Sequence, residues 1–374
     1  MNHSSRTDDN LSIVIAAGGT GGHVFPALAI AKAVRRHRPG ATITFVGTRD
    51  RMESRVVPQA GFDIRYIWIS GFHRRLTIKN LLFPVKLIVS LMQSLHLLLN
   101  INPSVVLSCG GYVAGPVGWI ATMLQIPLVL QEQNSYPGVT NRMLSKRARR
   151  IYTAFEEAHD HLPSEKSKLV GNPTRQNLSA VDRNEALSAF DFSADRRTIL
   201  VMGGSGGART INEAVLSHLD TLHDELELQI IWICGKNYEE NIRRRIDVNR
   251  YSRLRLYKFL DDIDQAYGAA DLVVSRAGAS TCAELQLTGN ASVLVPSPNV
   301  AGDHQRKNAR AMVSTRAAIM IEDHELEKMI VKQIKKILAD ENLLREMQEA
   351  AQKLSRPNAA DVIAKDIINL SSRT

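Results

Sequence analysis

The sequence predicts an α/β protein built from two doubly wound, parallel-sheet domains. Short β-rich runs alternate with helix-length amphipathic segments along the 374 residues, a pattern typical of βαβ units with right-handed crossovers. The runs are apolar at nearly every position, which fits strands that helices cover on both faces. One plan of apolar strand, glycine-rich turn and helix start occurs twice, at residues 11–31 and 198–217. The length and this repeat together indicate two domains.

The predicted strands follow one another at the spacing of βαβ units. In the first half they are LSIVIAA (11–17), ATITFVG (41–47), DIRYIWI (63–69), SVVLSCG (104–110) and IPLVLQ (126–131). In the second half they are TILVMGG (198–204), ELQIIWICG (227–235), RLRLYKF (253–259), DLVVSRAG (271–278) and ASVLVP (291–296). Gly171, Asn172 and Pro173 interrupt the chain between the halves, and Pro357 precedes a final helical segment. These breaks predict one domain of residues 1–171 with the helix 357–374, and a second domain of residues 172–356.

Composition and charge exclude several classes of protein. The chain is 44% hydrophobic and 23% charged, which excludes wholesale disorder. Cys109, Cys234 and Cys282 lie far apart without a C-x-x-C pair, which excludes a disulfide framework and indicates a reducing compartment. The polar N-terminus lacks the apolar core of a signal peptide.

The positive charge is concentrated in the first half of the chain. Residues 1–171 hold 20 Lys and Arg against 10 Asp and Glu, whereas the whole chain carries a net charge of +9. A nucleic acid, an anionic membrane surface or a phosphate-bearing substrate would each account for this excess. A solvated basic face without a partner is the remaining interpretation.

One uncharged stretch raises the question of a membrane span. Residues 87–131 contain no Asp, Glu, Lys or Arg. The best apolar run, LIVSLMQSLHLLL (87–99), is shorter than the ~20 residues that a transmembrane helix needs, and glycine and proline pairs interrupt the remainder. We therefore expect buried segments of the α/β core here and no membrane span.

The first glycine-rich turn, GGTGGH (18–23), follows a predicted strand and opens a helix. Glycines let the backbone approach a ligand, and the N–H groups at a helix start attract an anion or a polar sugar. The turn does not match G-x-G-x-x-G, because Val24 takes the last position, and no G-x-x-x-x-G-K-[ST] sequence occurs. A tight turn without a ligand is the alternative. His23 is expected to face the crevice above the strands, where histidine can take up a proton near neutral pH, although a lone histidine is more often structural.

Two segments of the second half repeat this arrangement. The turn GGSGGAR (203–209) adds the hydroxyl of Ser205. The segment SRAGAST (275–281) predicts another helix start, with Glu284 one turn further along. That carboxylate could accept hydrogen bonds from ribose hydroxyls, or it could only offset the helix dipole. Residues 262–264 spell D-x-D, a pattern of metal–diphosphate sites, but their position at a helix start favours capping.

Seven motifs occur in the order and spacing of one known family. They are GGTGGHVFPALA, SCGGYVAGP, QEQNSYPGVTNR, GNPTR, GGSGGAR, SRAGASTCAE and DHQRKNA. From Leu11 to the final helix, the chain thus resembles the MurG family of bacterial glycosyltransferases. These enzymes move N-acetylglucosamine (GlcNAc) from UDP-GlcNAc to undecaprenyl-pyrophosphoryl-MurNAc-pentapeptide (lipid I). The resemblance implies the GT-B fold, in which two Rossmann-like domains face each other across a cleft.

The resemblance also implies a reaction and a location. The reaction would be an inverting transfer to the C4 hydroxyl of the MurNAc of lipid I, which gives lipid II for peptidoglycan synthesis and so serves cell wall biogenesis, cell shape and cell division. The basic N-terminal domain would bind lipid I and face an anionic membrane surface, as a peripheral protein at the cytoplasmic face of the cell inner membrane. A cell-wall synthesis complex is a further partner. The C-terminal domain would hold UDP-GlcNAc, without a cofactor, a metal or a nucleic acid.

Matching motifs assign roles to residues of this chain. His23 becomes the candidate general base, and Gly110, Gly111 and Tyr112 are expected to border the acceptor. Arg175 and Ser205, with the helix N-termini, are the candidates for stabilising the leaving diphosphate. The residues expected to contact UDP-GlcNAc are Thr20, Gly21, Gly22, Asn134, Arg175, Ser205, Leu260 (through its main chain, at the uracil), Arg276, Ala279, Ser280, Thr281, Glu284 and Gln305.

This chain departs from the family pattern at two positions. Gly206 stands where the second glycine turn of the family commonly has Gln. The contact that this Gln side chain makes with the donor is therefore missing here. Gln131 begins QEQN where His is common, and we expect this change to touch no residue of the chemistry.

Other functions fit the same fold class. One is another GT-B enzyme, either a UDP-GlcNAc 2-epimerase or a transferase with a different lipid acceptor. An epimerase needs acid and base carboxylates in the cleft, where only Glu284 is found, already assigned to ribose. Another is a non-catalytic subunit that binds sugar nucleotides, which the intact GGTGGH and SRAGASTCAE motifs disfavour.

The segment FHRRLTIKNLLFPVK (72–86) predicts salt-sensitive, reversible binding to anionic membranes. Arg74, Arg75, Lys79 and Lys86 alternate with Leu, Ile and Phe, a mixture suited to headgroups above and acyl chains below. The alternative is an ordinary helix with its apolar face in the core. Four cations at about 1 kcal/mol each give only millimolar affinity, so apolar insertion must contribute.

Overall fold

The computed structural model describes residues 11–71, 82–174, 178, 181–204 and 206–371. The chain divides into two compact units: unit 1 comprises Met1–Thr174 and Pro357–Thr374, and unit 2 comprises Arg175–Arg356. Within its described residues each unit forms one sheet, of seven strands in unit 1 and six in unit 2, and all of the pairings in both sheets are parallel. The expected α/β class with two doubly wound domains is confirmed.

The described strands and helices alternate along most of the chain. The strands are β1 (Ser12–Ala16), β2 (Thr42–Gly47), β3 (Asp63–Tyr66), β4 (Val105–Ser108), β5 (Leu128–Glu132), β6 (Arg150–Thr153), β7 (Ser167–Leu169), β8 (Thr198–Met202), β9 (Gln229–Ile233), β10 (Leu254–Tyr257), β11 (Leu272–Ser275), β12 (Ala291–Leu294) and β13 (Ala318–Met320). The α-helices are α1 (Gly21–His37), α2 (Glu53–Gln59), α3 (Phe83–Ile101), α4 (Ala114–Met123), α5 (Val139–Ser145), α6 (Arg183–Ala189), α7 (Arg209–Ser217), α8 (Glu239–Arg245), α9 (Ile263–Ala269), α10 (Ala279–Thr288), α11 (His304–Ser314), α12 (Leu326–Ala339), α13 (Glu341–Lys353) and α14 (Ala359–Ser371).

Strand order reverses once in each sheet. Unit 1 has the order β3-β2-β1-β4-β5-β6-β7, and unit 2 has β10-β9-β8-β11-β12-β13. The chain therefore builds outward from β1 in one direction and then restarts at β4 on the other side. In unit 2 the same reversal separates β8 from β11. Ligands of open α/β sheets bind outside the carboxyl ends of the strands at this reversal.

The two faces of the unit 1 sheet are covered by different helices. Ile13 and Ile15 of β1 are fully buried in one apolar cluster with residues of α1 and with Ile363 and Ile367 of α14. Val14, between them, belongs to the cluster on the opposite face, which includes residues of α4. Successive side chains of a strand point to opposite faces, so a strand that is apolar at every position serves both. Helix α14 packs against α1, so the end of the described chain completes unit 1.

Most of the apolar run at residues 87–99 lies outside the buried core, so the expectation of a buried segment is wrong for most of its length. It lies in α3, whose buried residues Ser90, Ser94 and Leu98 follow one another at four-residue spacing, and the helix packs against α4. Leucines such as Leu98 join the serines on the packed side, but the opposite side is also apolar where the usual amphipathic helix is polar. The exposed apolar residues of the helix, called here the apolar stripe of α3, are Val85, Leu87, Ile88, Met92, Leu95 and Leu99.

Candidate active site

The glycine-containing turns of the sequence motifs lie at the reversal of strand order in each unit. In unit 1 the turn 17–20 follows β1, and Cys109, Gly110, Gly111 and Tyr112 follow β4, its neighbour in the sheet. In unit 2 the turn 203–208 follows β8, and the segment 276–278 follows β11. Because the strands are parallel, both turns of each unit lie at one edge of its sheet. We call these the reversal edges of unit 1 and unit 2.

A buried carboxylate that the sequence analysis did not single out holds the first glycine turn. Glu53 is fully buried. Its Oε2 accepts the N–H of Gly19 at 3.2 Å, and its Oε1 accepts the N–H and the hydroxyl of Thr48 at 3.1 and 2.8 Å. Helix α1 then begins after Thr20, whose side chain makes no capping hydrogen bond. Glu53 therefore fixes the backbone that leads into the start of α1.

His23 lies in the first turn of α1 with its ring held from one side. Nδ1 is 2.9 Å from the carbonyl oxygen of Cys109 and 3.0 Å from Oε1 of Gln133. A carbonyl oxygen only accepts, so Nδ1 carries the proton and donates it. In the neutral ring Nε2 is then the basic nitrogen. The ring also needs Gly110, because a Cβ at that residue would lie 2.9 Å from ring atoms of His23.

Gln133 links His23 to the position where this chain departs from the family pattern. Its Nε2 donates to the carbonyl oxygen of Cys109 at 2.7 Å and to Oε1 of Gln131. Gln131 in turn donates to Oδ1 of Asn172 at 3.3 Å. Neither Gln133 nor Asn172 was assigned to the chemistry, so the expectation that the Gln131 change touches no such residue stays a prediction, although Gln131 is linked to His23 through Gln133. Gln131 bonds to Gln133, and Gln133 bonds both to His23 and to the Cys109 carbonyl oxygen that accepts the His23 proton.

A second buried carboxylate orders the loop that contains Asn134. Glu132 is 1% exposed. Its Oε1 accepts the backbone N–H and the side-chain amide of Asn134, at 3.0 and 3.2 Å. Its Oε2 accepts the N–H of Gly138 at 3.0 Å and Nδ2 of Asn141 at 2.8 Å, at the start of α5. The buried Glu132 thus fixes the loop after β5, and Asn134 in that loop is only partly buried.

Tyr112 covers the glycine turn at the same edge. A Cβ on Gly19, whose φ is +88°, would lie 3.0 Å from the Tyr112 ring, and one on Gly71 would lie 3.3 Å from it. Burial raises the pKa of Tyr112 above its ordinary value, an effect that nearby Arg51 opposes. The phenol therefore stays protonated near neutral pH. The structure brings Thr20, Gly21, Gly22, His23, Gly110, Gly111 and Tyr112 to the reversal edge of unit 1.

At the reversal edge of unit 2 the second glycine turn passes very close to another backbone segment. Gly207 has a φ of +80°, and a Cβ there would lie 2.2 Å from the carbonyl oxygen of Cys234. Only glycine permits this approach. Helix α7 begins after Ala208, which has no side-chain group to cap it. Ser205 and Arg175, two candidates for the diphosphate, lie outside the described residues.

Helix α10 begins at this edge with Ala279, Ser280 and Thr281, after Gly278 as its N-cap. Glu284 lies beyond the first turn, which contains no acidic residue, so offsetting the dipole at the helix start does not explain it. Its Oε2 accepts the hydroxyl of Tyr267 at 2.9 Å. Tyr267 is fully buried, and burial raises its pKa well above the ordinary value, so the phenol donates. One carboxylate oxygen of Glu284 is thus anchored.

Three other predicted donor residues lie at the carboxyl ends of unit 2 strands. Nη1 of Arg276, just after β11, donates to the carbonyl oxygen of Val295 at 3.1 Å and forms an ion pair with Asp323. Gln305, in the first turn of α11, accepts the N–H of Ser297 at 2.8 Å. Leu260 follows β10 and is partly buried.

The predicted capping role of the D-x-D sequence is only partly met. Asp262 occupies the N-cap position of α9, but its side chain makes no capping hydrogen bond, because its backbone (φ −88°, ψ 59°) lies outside the extended region usual for a capping residue. Asp264 lies within the first turn of the same helix. There it can offset the positive end of the helix dipole.

Comparison with known proteins decides the family. The model of the glycosyltransferase family 28 N-terminal domain matches residues 13–153, and that of the C-terminal domain matches residues 198–363. A protein of Salinibacter ruber, named UDP-N-acetylglucosamine–N-acetylmuramyl-(pentapeptide) pyrophosphoryl-undecaprenol N-acetylglucosamine transferase, is 44% identical over 361 residues, which cover 96% of this chain and 97% of that protein. The chain belongs to the MurG family of glycosyltransferases. The resemblance read from the seven motifs is confirmed.

Solved structures agree with this family and its GT-B fold. The crystal structure of MurG from Acinetobacter baumannii matches with a TM-score of 0.79 and 31% identity, over 96% of this chain and 99% of that one. The UDP-GlcNAc 2-epimerase from Neisseria meningitidis matches with a TM-score of 0.66 over 96% and 100% of the two chains, but at 12% identity. That second likeness shows a shared fold and nothing about the reaction.

Proposed function

We propose that this chain transfers GlcNAc from UDP-GlcNAc to the C4 hydroxyl of the MurNAc of lipid I, with inversion at the anomeric carbon, to give lipid II. The observation that carries the proposal is the placement of the family motifs. The described residues of GGTGGH, SCGGY, GGSGGAR and SRAGAST all fall at the reversal edges of their units. Sheets of this kind bind nucleotides at such edges. Unit 1 is assigned the acceptor and unit 2 the donor.

His23 is assigned the role of general base. The C4 hydroxyl oxygen bonds to the anomeric carbon of GlcNAc while the bond from that carbon to UDP breaks, and the hydroxyl proton passes to Nε2 of His23. The carbonyl oxygen of Cys109 holds the Nδ1 proton at 2.9 Å, so the ring presents its basic nitrogen without a change of tautomer. The negative charge that develops on the diphosphate is stabilised by Arg175, Ser205 and the helix starts of unit 2.

The donor residues of unit 2 divide into two groups by what they offer. The starts of α7 and α10 offer backbone N–H groups, since neither Ala208 nor Gly278 has a side chain that could occupy them. Glu284 offers carboxylate oxygens, which can accept hydrogen bonds from the ribose hydroxyls. Gln305 offers a side-chain amide. Thr20, Gly21, Gly22 and Asn134 complete the donor contacts from unit 1.

Incubation with radiolabelled UDP-GlcNAc and a lipid I analogue tests this function. Lipid-linked GlcNAc-MurNAc disaccharide is the expected product. Formation of UDP-ManNAc without the acceptor would make the chain an epimerase, and UDP binding without turnover would make it a binding subunit. A soluble acceptor sugar lacking the pyrophosphoryl lipid serves as the control, because the proposed acceptor includes that group.

The apolar stripe of α3 supports peripheral binding to the cytoplasmic face of the inner membrane, where the enzyme would work within a cell-wall synthesis complex. Within the described residues, α3 is the one helix whose length and composition would suffice to cross a membrane, with a mean hydropathy of 1.4 and 17% of its most apolar window buried. Its packing against α4 keeps one side on protein, so we assign it to the membrane interface. Beside it, Trp68 is 48% exposed, and Nζ of Lys86 lies 5.6 Å from its ring centre.

This assignment adds an apolar element to the basic segment 72–86, of which residues 72–81 lie outside the described residues. Vesicle co-sedimentation at low and high salt separates the two contributions. Changing Ile88, Met92 and Leu99 to Gln should weaken binding to anionic vesicles at both salt concentrations. Changing Arg74, Arg75, Lys79 and Lys86 to Gln should remove the salt dependence. Val313→Gln, at an exposed apolar residue of unit 2, is the control and should bind like wild type. Wild-type binding by the triple variant would assign the membrane face elsewhere.

A further inference from the structure

Three segments of unit 2 meet at the carboxylate of Asp323. Asp323 follows β13 and begins a short 3-10 turn, Asp323–Glu325. Its Oδ1 is paired with the guanidinium of Arg276, in the segment after β11. Its Oδ2 accepts the hydroxyl of Thr210 at 2.9 Å, and Thr210 is the second residue of α7. One side chain thus connects the segments after β13 and β11 with the helix that follows the second glycine turn.

This cluster is largely removed from water. The side chains of Arg276 and Asp323 are 14% and 22% exposed, far less than the pairs on the outer surface of the unit, such as Arg245 with Glu213 at 44% and 43%. The carbonyl oxygen of Val295 takes a further hydrogen bond from Arg276, at 3.1 Å. A largely buried pair that is held by further hydrogen bonds on both sides favours one geometry, and removing one partner leaves the other with little water to replace it.

The cluster lies where the two helix starts of unit 2 are closest in the sheet order. Helix α7 follows β8 and α10 follows β11, and these strands are neighbours at the reversal edge. Thr210 belongs to the first turn of α7, and Arg276 lies two residues before Gly278, the N-cap of α10. A shift of Asp323 would therefore move both helix starts relative to each other. Two sets of N–H groups can bind one diphosphate only while their separation matches it.

We propose that Asp323 is a positioning residue for the diphosphate of the donor: by holding Thr210 and Arg276, it sets the start of α7 against the start of α10. The proposal rests on the proposed function, in that unit 2 binds a uridine diphosphate. Asp323 also balances the charge of Arg276 within the protein. The pair therefore contributes geometry more than net positive charge, and freeing the guanidinium is not expected to improve binding.

Calorimetry of the full chain with UDP tests this role without the lipid acceptor. Asp323→Asn should weaken UDP about tenfold, and Thr210→Val, which removes one hydrogen bond, about threefold. With the lipid acceptor saturating and UDP-GlcNAc varied, Asp323→Asn should raise the KM for UDP-GlcNAc about tenfold and leave kcat within about threefold, a split that a general loss of folded protein would not produce. In a protein that already carries Arg276→Lys, adding Asp323→Asn should weaken UDP binding by less than a further twofold. Glu213→Gln, which removes an ion pair from the outer side of the same helix, is the matched control and should bind UDP like wild type.

Two results would overturn the proposal. A folded Asp323→Asn variant that binds UDP within twofold of wild type would show that the cluster only stabilises the unit, and tighter binding would show that Asp323 merely neutralises Arg276. If Asp323→Asn does not fold, Thr210→Val decides alone, and unchanged UDP affinity in that variant would refute the role. Failure of the wild type to bind UDP would instead refute the proposed function.

Discussion

Replacing Glu53 with glutamine tests how the first glycine turn is held. The buried carboxylate accepts one hydrogen bond from Gly19 and two from Thr48. Glutamine has the same shape but one acceptor oxygen. If that oxygen stays with Thr48, the amide nitrogen faces the N–H of Gly19, and two donors then oppose each other. One hydrogen bond to a charged group is lost, for which we expect about 1.5–3 kcal/mol.

Hydrogen exchange at the Gly19 amide measures this loss locally, which matters because a chain of two units need not unfold in one step. At about 1.4 kcal/mol for each factor of ten, exchange should be about 10- to 150-fold faster in Glu53→Gln. The activity should fall with it, because displacing groups beside a reaction centre by about 1 Å can cost ~10²-fold.

Thr48→Val is the matched control, since it removes the hydroxyl bond to Glu53 and leaves the contact with Gly19. It should destabilise unit 1 by about 1 kcal/mol with a much smaller loss of kcat/KM. Native exchange at Gly19 together with native kcat/KM in Glu53→Gln would refute the reasoning. So would an equal loss of activity in both variants, because the contact with Gly19 would then not be the cause.

Three further predictions concern His23, Glu284 and Asp361. His23→Ala should lower kcat about 10²–10⁴-fold with little change in UDP affinity; an unchanged kcat in the folded variant would remove it as the base. Glu284→Ala should weaken UDP about ten- to hundredfold by calorimetry, from the loss of a hydrogen bond worth about 1.5–3 kcal/mol, and native affinity would contradict a ribose contact. Burial opposes ionisation of Asp361, but hydrogen bonds from His37 and Arg36 hold its pKa below the ordinary 3.8. Its stabilising effect is therefore present above that pH and lost as the pH falls through the lowered pKa. Asp361→Asn should destabilise unit 1 by about 0.5–1 kcal/mol at pH 7 and by less at pH 3, by thermal unfolding; an equal difference at both pH values would contradict the ion pair.

Local patterns were sufficient to predict most of the fold. Each of the ten predicted strands overlaps a strand of the structure, because a strand buried on both faces is apolar along its length. The strands that the sequence analysis missed, β6, β7 and β13, are short, and β7 is an edge strand with an exposed lysine. Helix α3 was misplaced in the core because apolar composition does not reveal which surface a helix faces.

The site was predictable only where its residues are close in sequence. The glycine turns and helix starts are continuous segments, so their positions follow from the chain. The side chains that hold them come from far away: Glu53 is 34 residues from Gly19, Gln133 is 110 from His23, and Asp323 is 113 from Thr210. Nothing local marks a glutamate or a glutamine as the partner of a distant N–H group, because that pairing is created by the strand order.

The return of α14 to unit 1 has a consequence for how the protein is made. Ile363 and Ile367 lie in the same core as Ile13 and Ile15, yet the ribosome adds them only after all of unit 2. During translation unit 2 can close its core first, while one face of the nascent N-terminal sheet is covered by α1 but still lacks α14. A polypeptide that stops at residue 356 would leave unit 2 intact and unit 1 open, so truncation near the C-terminus should damage the half of the molecule that was synthesised first.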